Sequence, residues 1–248
     1  MRAKRAILAI AVLAAVAGCS LPGPQGAPDG IHDPFEAQNR RVHDFNRALD
    51  KRLFSGGGDS LPQGPAQVVT NLADTLSLPR TVVNQVLQGR PGDATRNTLR
   101  FAINATLGFG GLADVASDLG LPRDESDFGE TLAVWGLPEG AYQELPVLGP
   151  STERDTAGRV VDLFLNPLDY HLSRPDRRIK SGVTIAGKAA DRLRYGDAVD
   201  SVLHDSADSY AQARLIYLQN RRFELGQTGD AAAGASYIDP DAIDTEGF

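Results

Sequence analysis

Apolar residues recur through this chain at helical spacing, yet glycine or proline interrupts each stretch before it grows long. The 248 residues include 26 Gly and 15 Pro, above the roughly 12% share of ordinary proteins. The uncharged apolar run Ala6 to Ala17 has twelve residues, against the ~20 that a bilayer-spanning helix needs. Sustained period-2 alternation is hard to find, which leaves little basis for a sheet. These constraints predict a mainly α fold. It is a single domain of short, interrupted amphipathic helices over residues 33–225, without internal repeats.

The segments follow from the punctuation. Asp33 as N-cap, Pro34 at N1 and Glu36 at N3 open a first helix with the stripe Val42, Phe45, Leu49 and Leu53. A Gly-rich loop to Pro65 precedes a second helix with Val68, Val69, Leu72 and Leu76. Pro79 restarts a short helix carrying Val82, Val83, Val86 and Leu87, closed by Gly89 as C′ residue. Asp93 to Leu107 aligns Leu99, Ile103 and Leu107 until Gly108-Phe109-Gly110-Gly111 breaks it. Ser151 caps a helix reaching Leu165, and Pro167 stops it. Arg177–Tyr195 and Asp197–Leu225 are the last helices, the second the longest periodic stretch. Ala141 to Leu148 is strand-like, but Pro146 within it and Pro138 and Pro150 beside it favour an extended loop. Residues 226–248 carry five acidic and no basic side chains and read as a disordered tail.

The N-terminus bears a different signal. Arg2, Lys4 and Arg5 precede the apolar run, and Val16-Ala17-Gly18-Cys19 resembles a bacterial lipobox. There a peptidase cuts before the cysteine and the thiol receives a diacylglycerol. An ordinary signal or a short anchor is the alternative. The chain has one Cys, which excludes an intrachain disulfide framework and multi-Cys metal sites, and it falls in register with the lipobox. Two or three acyl chains, at ~0.8 kcal/mol per buried CH₂, meet the requirement for stable anchoring. Ser20, where inner-membrane retention usually has Asp, predicts an outer-membrane lipoprotein facing the periplasm. Its signal is 1–18 and its Pro/Gly-rich tether 19–32. The net charge of −7 argues against nucleic-acid binding.

Chemistry is sparse. The histidines, His32, His43, His171 and His204, form no H-E-x-x-H arrangement, and no serine sits in a G-x-S-x-G elbow. Neither a catalytic residue nor a metal site nor a cofactor is predicted. The Gly108–Gly111 run lacks the Gly-Lys-[Ser/Thr] of a P-loop and reads as helix punctuation, or as a tight turn at a channel mouth. Arg174, Arg177, Arg178 and Lys180, with Lys188, Arg192 and Arg194, suit anionic headgroups or an acidic partner, or form a solvated helix face.

Several ordered blocks resemble the MlaA/VacJ family of outer-membrane lipoproteins. They are Asp33-Pro34-Phe35-Glu36 with Asn39-Arg40 and Phe45-Asn46; Asn71-Leu72 with Asn84 to Gly89; and Arg100-Phe101 with Asn104 and Thr106 to Asp114. The most specific is Asp127-Phe128-Gly129 with Thr131-Leu132, Trp135-Gly136, Gly140 and Tyr142, continuing through Leu148-Gly149-Pro150-Ser151 to Arg154-Asp155 and Gly158. The resemblance implies a ring-like body with a polar channel, set in the outer membrane. Phospholipid misplaced in the outer leaflet would pass through it to a periplasmic carrier, MlaC, in association with a trimeric porin and without bond cleavage. It also implies that Phe128 to Leu148 is a hairpin bordering the channel, with Phe128, Gly129, Trp135, Gly136, Gly140 and Tyr142 as its candidate residues. The chain departs from the family in its short Gly-rich Phe54 to Pro65 link and in Gly140-Ala141-Tyr142, where the family has Gly-Pro-Tyr. A porin-associated scaffold without lipid transfer is the alternative. A phospholipid-cleaving enzyme has no local motif in its favour.

Overall fold

The computed structural model describes residues 31–54 and 63–226. The signal peptide, Cys19, most of the tether and residues 227–248 lie outside them. The described chain is mainly helical, as expected. Its elements are α1 (Glu36–Phe54), α2 (Gln63–Leu87), α3 (Pro91–Thr106), α4 (Val115–Asp118), α5 (Phe128–Val134), β1 (Tyr142–Leu145), β2 (Gly149–Thr152), α6 (Glu153–Leu165), α7 (Leu168–His171), α8 (Arg174–Arg194), α9 (Gly196–Leu203) and α10 (Ser209–Glu224). α2 packs along both α3 and α8, α5 crosses α6, and β1 lies against α1. No described helix is long and apolar enough to cross a membrane.

Several boundaries differ from expectation for local reasons. Ile31 and His32 belong to the body, not the tether. Ile31 is buried beside Tyr142, Tyr210 and Leu218, and the His32 carbonyl accepts from the Tyr142 N–H at 2.8 Å. Asp33 does not cap α1, which begins at Glu36. Its carboxylate instead accepts from Asn39 at 2.9 Å, Arg214 at 2.7 Å and the Tyr210 hydroxyl. Pro79 does not restart a helix but lies inside α2. Packing against α3 and α8 offsets the lost hydrogen bond, and Asn166 donates to the Leu76 carbonyl at 3.0 Å just before it. Gly89 ends α2 in a Schellman turn, with φ +70° and Arg90 N–H bonding Gln85 O at 2.9 Å.

Thr152, not Ser151, caps α6, accepting from the Asp155 N–H at 3.2 Å. Ser151 pairs with Gln143 in an antiparallel hairpin where an extended loop was expected. The 197–225 stretch is two helices. Asp208 caps α10 through the Ala211 N–H at 3.0 Å, and the chain breaks at His204, whose ring reaches Asp50 at 3.1 Å.

The helices are inverted relative to a soluble bundle. On α1 the buried residues are Asn39 and His43, while Phe45 of the apolar stripe is 53% exposed. On α3 the buried set is Ala94, Asn97, Arg100 and Asn104, and Leu99 and Leu107 face outward. On α2, Thr70, Thr75, Leu78, Thr81, Asn84 and Gln85 are buried, as is Gln88 just past its end, and Val86 is exposed. A buried polar group must find a partner; several of these bond one another, while Gln88 Oε1, Asn97 Oδ1 and Arg100 Nε have none among the described residues. Asn97 donates to Gln85 at 3.0 Å and to the Asp124 carbonyl at 2.8 Å. Gln88 donates to Thr131 at 2.9 Å, Thr131 to Asn84 at 3.0 Å, and Asn84 to Asp162 at 3.0 Å.

Candidate functional site

α2, α3 and the segment up to Glu125 line a shallow recess open to solvent, about 340 Å³ when the solvent at its mouth is counted, with Asn71, Asp74, Thr75, Arg100, Asn104 and Asp114 among its walls. Helical spacing sets its walls. Asn71, Asp74, Thr75, Leu78 and Thr81 recur at steps of three and four on α2, and Arg100 and Asn104 are one turn apart on α3. Arg100 is buried and pairs with both Asp114 oxygens at 3.0 and 2.9 Å. Asn104 donates to Asp114 at 2.8 Å and accepts from the Ala116 N–H at 2.9 Å. Burial alone would raise the Asp114 pKa, but bonds from Ser117, Asn104 and Arg100 hold it below the usual carboxylate value.

At the other wall Arg123 clasps Asp74 at 2.5 and 2.8 Å. Burial, aided by Glu125 and Asp191, nevertheless raises Asp74 to about 6 against the pull of Arg123. The recess therefore offers charges of both signs at close range.

The Gly108–Gly111 run sits at its edge. A Cβ on Gly108 would lie 2.3 Å from the Ala113 carbonyl, and one on Gly111 2.7 Å from the Thr75 Cβ. Phe109 between them has φ +54° and is 81% exposed. The run breaks α3 as expected, and it also builds a turn against the recess.

The six residues singled out between Phe128 and Tyr142 do not share one surface, because that segment is helix α5, a turn and strand β1. Phe128 and Trp135 stack edge to face at 5.6 Å, and exposed Trp135 donates to the Leu87 carbonyl at 3.2 Å. Gly129 is buried where α5 crosses α6, and a Cβ there would lie 2.5 Å from Asp155. Gly136 closes α5 at φ +88°, and Gly140, at φ +75°, lies against Glu153. Tyr142 belongs to the small apolar core, with its hydroxyl on Glu144 at 2.5 Å.

Of the basic candidates, Arg174, Arg177 and Arg178 stand exposed at the start of α8. Lys180 instead pairs with Asp169 at 2.8 Å. Arg192 bonds both Asp50 oxygens at 2.7 Å and Asp200 at 2.5 Å. It thereby supplies the positive charge for Asp50 and Asp200, which with His204 place ligand-type atoms within 4.8 Å of one another.

One constellation carried no sequence signal. Ser209 Oγ lies 3.0 Å from His43 Nε2, and His43 Nδ1 lies 3.5 Å from Glu144. The order resembles a hydrolase triad. However, Ser209 and His43 are buried, and Glu144 already accepts from Tyr142 at 2.5 Å and Asn46 at 3.2 Å. The set acts as a clamp joining α1, β1 and α10. Three residues so far apart in sequence share no local motif, so only the fold brings them together.

Comparison with known proteins bears on both the fold and the site. The profile of the MlaA lipoprotein family matches residues 31–224. The chain is 32% identical over 242 residues to the intermembrane phospholipid transport system lipoprotein MlaA of Escherichia coli K12, covering 92% of this chain and 94% of that protein. It is 34% identical over 189 residues to an uncharacterised protein of Rickettsia conorii, covering 74% of each. A solved structure, described as the structural basis for maintenance of bacterial outer membrane lipid asymmetry, superposes with a TM-score of 0.66 at 31% identity. It covers 78% of this chain and 98% of that one.

Proposed function

Because the chain belongs to the MlaA lipoprotein family, we propose that it removes misplaced phospholipid from the outer leaflet of the outer membrane and so maintains lipid asymmetry. The observation that carries this reading is the inverted packing. Side chains such as Phe45, Leu107 and Phe109 face outward while Asn, Gln, Thr and Arg face inward. Exposed apolar patches of this extent mark a membrane or a partner, and a polar interior gives a charged headgroup somewhere to go that hydrocarbon does not. Phospholipid movement needs both surfaces side by side. In this reading the body is seated in the membrane as a ring with a polar channel, held by acyl chains on Cys19. The lipid passes to a periplasmic carrier, MlaC, and a trimeric porin holds the body in place.

Deleting the gene should expose phospholipid on the cell surface, measured as outer-leaflet acylation by an endogenous acyltransferase. Complementation with the full chain should reverse it. Unchanged surface phospholipid in the deletion strain overturns transport and leaves a porin-bound scaffold.

A further inference from the structure

Phe109 takes the left-handed position at the end of α3, with the Gly110 N–H on the Ala105 carbonyl at 3.1 Å, a place ordinarily given to glycine. A bulky residue at positive φ is a genuine outlier, and such strain concentrates at functional sites. Phe109 has φ +54° next to two glycines that adopt positive φ freely. Its ring is 81% exposed and makes no ring contact among the described residues. Residues 107–113, Leu-Gly-Phe-Gly-Gly-Leu-Ala, include no charge, and Leu107 and Leu112 are exposed with it.

The loop is nevertheless held firmly at its base. Asn71 donates to the Leu112 carbonyl at 3.2 Å. Gly111 abuts Thr75, and Asn104 and Asp114 bracket the turn. Those four anchors, Asn71, Thr75, Asn104 and Asp114, all line the polar recess. An uncharged aromatic tip thus stands over a charged hollow.

We propose that this loop is the lip of the recess. Phe109 is inserted among the acyl chains of a phospholipid, and the headgroup of that lipid meets the recess, whose wall carries charges of both signs in the Arg123–Asp74 and Arg100–Asp114 pairs. The occupant follows from the chemistry of the two adjoining surfaces, apolar outside and doubly charged within, which match the two ends of one phospholipid. The inference rests on the phospholipid reading above and adds the place and the residue of contact.

With Cys19 lipidated, a Phe109→Cys variant of the full chain has one free thiol for a nitroxide label. In nanodiscs of phosphatidylethanolamine and phosphatidylglycerol, the label should collide severalfold more with oxygen than with a water-soluble nickel chelate. Equal or chelate-favoured collision overturns the lip. In complementation, Phe109→Gly relieves the backbone and should fold at least as well as the parent, yet restore lipid asymmetry at least fivefold less. Phe109→Leu should restore it. Full complementation by Phe109→Gly also overturns the lip. If the unmodified chain itself fails to complement, the transport reading falls, while the label accessibility still decides whether Phe109 sits in lipid.

Discussion

Gly129 and Gly158 meet where α5 crosses α6. A Cβ on Gly158 would lie 2.3 Å from the Gly129 nitrogen, a backbone atom that cannot step aside. Gly158→Ala should therefore cost about 3 kcal/mol, at the upper end of overpacking penalties, and lower the melting temperature by roughly 6–12 °C in a chain of this size. Gly136→Ala meets nothing within 4 Å and suffers only from its φ of +88°, so its cost should stay near ~1 kcal/mol. Thermal unfolding in detergent measures both. Asp74 adds a pH test. Burial sets its folded pKa at about 6, above its ordinary 3.8, so the folded state holds the proton more tightly than the unfolded chain. Its contribution is fully present below the unfolded value and is lost as pH rises through about 6. Asp74→Asn should accordingly be more stable relative to the parent at pH 7 than at pH 4.5, in melting temperatures taken at both.

At the scale of elements, inversion predicts a reversal of the usual core rule. Leu99 faces outward and Asn97 is fully buried two residues away on α3, bonded to Gln85 and to the Asp124 carbonyl. Leu99→Gln should change unfolding stability by less than ~0.5 kcal/mol, whereas Asn97→Leu strands its partners and should cost ~1–3 kcal/mol. Denaturant titration of the two variants separates an inverted body from a soluble bundle. The same inversion explains how far sequence reasoning reaches. Val42, Phe45, Leu49 and Leu53 locate α1 correctly, because periodicity reports a helix whichever way its stripe faces. What such spacing does not report is the solvent outside. The inward residues of α3, Ala94, Asn97, Arg100 and Asn104, are just as periodic, and a reading that follows apolar side chains passes over them. Pro79 inside α2 and the break at His204 depend on contacts from distant elements, with Asn166 and Asp50, and so leave no local trace. The Ser209–His43–Glu144 clamp is equally illegible, since its members come from α10, α1 and β1.

For the whole molecule, the proposed reading gives two independent holds on the membrane, the inverted body and acyl chains on Cys19. Cys19 lies only twelve positions before Ile31, the first buried residue of the body, so acyl chains there would keep the body close to the bilayer surface. The outward apolar side chains of α1, α2 and α3 require no lipid modification to enter a membrane. Cys19→Ala should therefore abolish metabolic labelling with palmitate but leave the chain in the membrane fraction, resistant to high salt and released by detergent. In the proposed reading the acyl chains on Cys19 also direct the chain to the outer membrane, so the variant should fail to restore asymmetry and show the surface phospholipid of the deletion strain. If Cys19→Ala appears instead in the soluble periplasmic fraction, the acyl chains are the sole hold, and the exposed apolar faces are covered by a protein partner and not by lipid.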